Sequence, residues 1–303
     1  MTAQAVALFA PPAAVRSGPN VALSWWMKDK PTTARLEIVD SVGSVLRAFV
    51  PDTTTPDSTG ARRGGGGGRF GGPTYLPGDA GLNSLSWDLR TEPFRTFPGM
   101  ILWGARASGP ALPPGNYTVR LTADDKTVTA PLKVVRNPWI TDVTDADMRA
   151  QYEFSRAVWE KVNEANSAVI SIRNVKSQLD DRYAKSDDAA LKAAGTTLVT
   201  NASAVEQDIY QVKNQSGQDP LNFPIRVNNR LANLMSMAER GDGRPTTYMP
   251  EIFQILTREL EGYTDRLDEV WATDLTKVND ELRRLGLRPL DPDCNKPEGC
   301  LVM

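Results

Sequence analysis

Few side chains in this 303-residue chain could do chemistry, and their types narrow the choice. Histidine is absent, which removes Ser-His and Cys-His nucleophile pairs, the commonest general base at neutral pH, and every metal site that needs an imidazole. Carboxylates remain, and Asp88 with Glu92 is the pair an acid–base enzyme would draw on. Two cysteines, Cys294 and Cys300, bracket CNKPEGC. Pro297 and Gly299 between them suit a small disulfide loop, which would fit an oxidising compartment. Two thiols alone cannot close a zinc site. The last four residues, CLVM, have the form of a prenylation box, and Asn201 heads an N-A-S sequon inside a helical pattern.

The stretch GARRGGGGGRFGGP, Gly60 to Pro73, is the strongest compositional signal. A phosphate loop would need a lysine and a helix directly after the glycines, and a dinucleotide fingerprint would need a βαβ unit; neither follows here. Three readings remain. It is a slack insertion in a loop, an arm whose Arg62, Arg63, Arg69 and Phe70 dock on a protein or membrane-bound partner, or a single arginine–glycine strand binder for nucleic acid. The third is the least expected, because the net charge is only −2 and a general polyanion binder would be more basic. Trp25, Trp26 and Trp103 are the other candidate partner anchors, if they are exposed.

The elements that must position these residues change character midway. Residues 1–143 hold 15 Lys/Arg against 11 Asp/Glu, and residues 144–303 hold 20 against 26, so the halves differ in sign. In the first half apolar residues alternate. Val21–Lys28, Thr33–Asp40, Ser44–Val50, Leu82–Arg90, Asn116–Asp124 and Lys126–Val135 read as strands, with a turn at Asp40 to Gly43. About seven short strands with Pro/Gly turns predict an immunoglobulin-like antiparallel β-sandwich over residues 1–140. FPGMILWGA, Phe97 to Ala105, falls outside the alternation; it is expected to plug one end of the sandwich, or to form an exposed apolar patch.

Near residue 144 the period becomes helical. Thr144 precedes Asp145 and Asp147, a capping-box-like start. Val158, Val162, Ala165, Val169, Ile172 and Leu179 then mark a helix of about 35 residues, roughly 50 Å long. A second stripe carries Leu191, Ala194, Leu198, Val205, Ile209 and Val212; a third carries Leu231, Leu234, Met235 and Ala238. The last runs from Thr246 to about Leu285 through Ile252, Leu256, Leu260, Tyr263, Leu267, Val270, Val278 and Leu282. The expected architecture is therefore α+β in two domains. The sandwich precedes an antiparallel bundle of three to four long helices over 141–288, with a tail over 289–303. The stripes are aliphatic rather than carboxylate, so they read as core, and no cofactor or metal is expected. No run of about 20 apolar residues is present to span a membrane. The start, MTAQAVALFAPPAAVRSGPN, lacks a basic region and does not read as a signal peptide.

Four phrases carry a family resemblance: AGLNSLSWDLR, FPGMILWGARASGPALPPGNYTVRLTADDKTVTAPLKVVRNP, TDADMRAQYEFSRAVWEKVNEAN and QDPLNFPIRVNNRLANL. From about Leu8 to Leu285 the chain resembles the C-terminal region of large bacterial exported proteins with sortilin-like or BNR-repeat β-propellers. In those proteins a propeller precedes an immunoglobulin/FlgD-like sandwich and a helical module. The propeller is missing here, so no catalytic residue carries over. GPNVALSWWMKDK drifts from the family pattern, and the CNKPEGC tail is unfamiliar. The resemblance implies a periplasmic, membrane-peripheral, non-enzymatic subunit whose partners are proteins of a membrane-bound complex. No nucleic acid or small-molecule substrate is implied. A sandwich with helices of this sort resembles an accessory subunit bracing a bacterial photosynthetic reaction centre within its antenna. The alternative is a carbohydrate-binding accessory module of a glycosidase-like system.

Overall fold

A computed structural model describes residues 5–52 and 75–294. The protein is mixed α+β, and its chain divides into two compact units. The first comprises residues 1–93, 108–156 and 239–245; the second comprises 94–107, 157–238 and 246–303.

Among the described residues eight strands form two sheets in the first unit. They are β1 (Val6–Phe9), β2 (Ala14–Val15), β3 (Val21–Met27), β4 (Ala34–Val39), β5 (Val45–Phe49), β6 (Gly81–Trp87), β7 (Gly115–Ala123) and β8 (Lys126–Val135). One sheet has the order β1-β3-β6, the other β2-β8-β7-β4-β5. Alternation decides which side chains go inward. Leu23, Trp25 and Met27 of β3 join Leu85 and Trp87 of β6. With Leu36, Ile38, Val119, Leu121, Leu132 and Val134 of the other sheet they form one core. Two features depart from the expected pattern. β1 and β2 precede the first strand read from the sequence, and β2 runs parallel to β8, so the five-stranded sheet is mixed rather than wholly antiparallel.

The turns form for the reasons their residues suggest. Between β4 and β5 the Asp40 carboxylate accepts the Val42 and Ser44 N–H groups at 3.0 and 2.8 Å, and Gly43 takes φ +93°. Buried charge draws residues 239–245 into this unit. The Arg16 guanidinium, 2% exposed, reaches Asp242 at 2.7 Å, Gln151 Oε1 at 2.6 Å and the Leu112 carbonyl at 2.9 Å. Glu239 receives Arg90 and, at 2.9 Å, the Ala111 N–H. A buried guanidinium stripped of these acceptors would be costly, so the contacts fix where this segment lies.

The helices are α1 (Asp145–Lys185), α2 (Ala189–Ile209), α3 (Val227–Ala238), α4 (Met249–Val270) and α5 (Thr276–Arg284). The capping box closes as its residues predict: Asp147 N–H donates to Thr144 Oγ1 at 3.2 Å, and Thr144 N–H donates to Asp147 at 3.0 Å. The Thr144 hydroxyl, donating to the Asp147 carboxylate at 2.7 Å, with the Thr144 N–H and Arg244, holds the Asp147 carboxyl down at about 2. Asp188 caps α2 through Leu191 N–H at 3.0 Å. Gly286, at φ +68°, ends α5: Leu287 N–H bonds back to the Leu282 carbonyl at 2.8 Å. In the second unit Val175, Leu179, Leu191, Leu198, Leu275, Val278 and Leu282 share a core. The α4 stripe departs from expectation at its start, where Ile252 is 44% exposed, and a π turn over Trp271–Leu275 resets the helical phase before α5.

Phe97–Ala105, expected to plug one end of the sandwich or to form an exposed patch, belongs to the second unit. The cause is local. Phe97 packs edge-on against Tyr210 at 4.9 Å and lies under the Arg173 guanidinium at 4.6 Å.

Candidate partner-binding face

The outer face of the three-stranded sheet is built by the residues that alternate with the core positions. From β1 come Ala7 and Phe9, from β3 Ala22, Ser24 and Trp26, and from β6 Leu82, Ser84 and Ser86. Register sets them in rows. Ala7, Trp26 and Leu82 lie side by side, then Phe9, Ser24 and Ser84, then Ala22 and Ser86. None of the eight is charged. Phe9 is 49% exposed and Leu82 73%. The serines partly satisfy one another: Ser24 Oγ donates to Ser84 Oγ at 3.2 Å, and Asn20 reaches Ser86 at 3.3 Å. Charges start where the strands stop, at Lys28, Asp29 and Lys30 beyond β3 and at Asp79 and Asp88 on either side of β6. Lys30 and Asp79 pair at 3.7 Å. An uncharged centre with a charged margin loses water cheaply on contact, because no ion has to be desolvated.

The outer face of the five-stranded sheet is built from other chemistry. Glu37 accepts Arg35 Nε and Arg120 Nε, each at 2.7 Å, and Thr122 meets Thr127 at 3.0 Å. Burial pushes the Glu37 carboxyl up, but the hydrogen bonds and charges of Arg35 and Arg120 outweigh it and hold the group below its ordinary value.

The candidate residues read from the sequence scatter. Trp26 is half-buried on the middle strand of the uncharged face, in the row nearest the charged margin. Trp25 corrects the expectation: it is 0% exposed in the core, where its indole N–H finds no partner among the described residues, and it cannot meet another molecule. Strand alternation forces this, since two adjacent residues of a strand cannot share a face. Trp103 is 38% exposed in the second unit. Arg62, Arg63, Arg69 and Phe70, with the whole of Gly60 to Pro73, lie outside the described residues. Cys294 is the last described residue, and Cys300 lies beyond it. Asp88 and Glu92 engage separate groups. Asp88 accepts Arg90 N–H at 3.3 Å; Glu92 accepts Arg47 at 3.2 Å and Ala48 N–H at 3.3 Å. Asn201 of the sequon donates to Asp274 at 2.7 Å. Phe9 and Leu82 were missed, although the absence of charge at positions 22, 24, 26, 82, 84 and 86 is visible in the sequence.

Among the described residues no group of three or more His, Cys, Asp or Glu side chains is placed to hold a metal ion. Nor is any described helix long and apolar enough to cross a membrane. An open depression of about 480 Å³ is lined by Asn116, Lys133, Arg136 and Asp145. Arg136 there already donates to the Val143 carbonyl at 2.9 Å.

No protein-family model matches the chain, and no curated protein matches it. Among solved structures, a biofilm-associated protein, BSP domain, is similar over 43% of this chain at 14% identity and a TM-score of 0.22. The match spans only 15% of that protein's length.

Proposed function

We propose that this chain is a non-enzymatic structural subunit that binds a protein partner through the uncharged outer face of its three-stranded sheet. The observation that carries the reading is the cluster of Phe9, Trp26 and Leu82 on a face without charge. Aromatic and aliphatic anchors ringed by polar residues form the tight centre of many interfaces. Two sheets sharing one core support reading the first unit as an immunoglobulin-like sandwich, and the shared aliphatic core of the helices supports a bundle for the second. The resemblance to exported bacterial modules extends the proposal. It sets the chain in the periplasm, peripheral to a membrane complex, with a reaction centre–antenna assembly as the complex to try first.

A carbohydrate platform would call for several exposed indoles side by side, and this face carries one, Trp26. The protein-binding reading is therefore preferred. The test is purification of the tagged chain from native membranes in mild detergent, with partners identified by mass spectrometry. Stable recovery of membrane-complex subunits is expected. A chain that elutes alone, or one that instead retains a glycan on an array, would sink the proposal.

A further inference from the structure

Residues 94–107 form no strand or helix, yet their main chain is read closely by side chains of the helical unit. Arg95 N–H donates to Asn163 Oδ1 at 2.6 Å, and Asn166 Nδ2 donates to the Arg95 carbonyl at 2.7 Å. Arg173 donates to the Pro98 carbonyl at 3.1 Å. The Tyr210 hydroxyl donates to the Gly99 carbonyl at 3.1 Å and accepts Ile101 N–H at 3.0 Å. Asn229 takes both sides of Trp103, accepting its N–H at 2.8 Å and donating to its carbonyl at 2.9 Å. The segment's own Phe94 and Phe97 are buried beneath. Beneath the loop Asn166 is 0% exposed and Asn229 3%, and Asn228 steadies Asn166 through a 3.2 Å bond that does not involve the loop. Paired main-chain contacts with pockets for spaced side chains are how extended peptides are recognised.

The segment is also closed at its neck. Within the first unit Arg90 bridges Ala111, and Thr91 N–H bonds to the Pro110 carbonyl at 3.0 Å. Gly109 permits this closure, since a side chain there would collide with the Thr91 and Glu92 carbonyls. Between the necks the segment's own main-chain bond is Met100 N–H to the Phe97 carbonyl at 3.1 Å. It is a compact loop whose base is closed by bonds other than those that hold it to the helices.

We infer that the helical unit carries a recognition site for a looped polypeptide segment, filled in the monomer by the chain's own residues 94–107, and that the same loop of a second copy competes for it. Exchange of identical elements is a low-cost route to dimers. The inference stands apart from the uncharged sheet face and survives if that reading fails. In cis the loop is present at an effective concentration of order millimolar, so exchange needs concentrated protein and transient loosening.

The test uses the full chain, held concentrated in sub-denaturing urea and then diluted into buffer, with species counted by native mass spectrometry. Dimers that outlast dilution are expected. Their yield should fall about tenfold or more when the urea step includes excess synthetic peptide of residues 94–107, and likewise for Asn229→Ala. Wild-type chain that stays monomeric, or dimers indifferent to the peptide, would overturn the inference. The peptide arm needs no variant, so a misfolded Asn229→Ala leaves the decision intact.

Discussion

The two sheets of the first unit share one core but present opposite outer faces. On the five-stranded sheet Arg35, Glu37 and Arg120 satisfy one another among threonines. On the three-stranded sheet the outward positions hold serine, alanine and three large apolar side chains, with no charge. A face bound for water usually carries charge, because ions keep it hydrated and discourage edge-to-edge association. The first face is finished for solvent. On the proposed function the second is the face that meets a partner.

The largest expected effect separates the two neighbouring tryptophans. Trp25→Ala removes a wholly buried indole and should cost about 3–5 kcal/mol in urea unfolding. Trp26→Ala, on the outer face, should cost no more than about 1 kcal/mol. Similar losses at both positions would break the assignment of faces.

Next comes the charged face itself. Glu37→Gln removes a carboxylate whose side chain is 10% exposed and leaves two arginines facing each other. Those arginines are 52% and 36% exposed, so the cost should be about 1–2 kcal/mol rather than that of a fully buried pair. Thermal or urea melts would show it. The same change carries a sign in pH. Because the folded Glu37 group is held below its ordinary value of 4.5, its contribution is complete above that value and is lost as pH falls from there through the lower, folded value. The gap between wild type and Glu37→Gln should stay constant from neutral pH to about pH 5 and narrow below that. A gap that widens on acidification would contradict the proposed pairing.

The smallest effect sits on the uncharged face. Leu82→Arg places a cation at a position already 73% exposed and should change stability by no more than about 0.5 kcal/mol. Its consequence should appear in partner binding instead.

Much of this contrast is legible in the sequence. Val21, Leu23, Trp25 and Met27 share one parity along β3, so their burial follows from alternation, as does the outward position of Trp26. The capping box at Thr144 and Asp147, the turn at Asp40 to Gly43 and the aliphatic helix stripes were equally readable, because each rests on neighbours within a few residues. What could not be read depends on partners distant in the chain. Nothing near Phe97 announces Tyr210 or Asn229, and nothing near Asp242 announces Arg16. The short β1 and β2 offer too few residues for a period to show. The arginines and Phe70 of the glycine stretch, on which much of the partner expectation rested, lie outside the described residues, so the candidate face came to rest on Phe9, Trp26 and Leu82.

The most direct measurement places a photo-crosslinking amino acid at position 82 on the uncharged face and, in a separate chain, at position 129 on the charged one, each irradiated in native membranes. A single, reproducible protein adduct from position 82, abolished by Trp26→Asp and missing from position 129, is the expected result. Equal labelling from both faces, or none from position 82, would show that the uncharged sheet is not where this protein meets its partner.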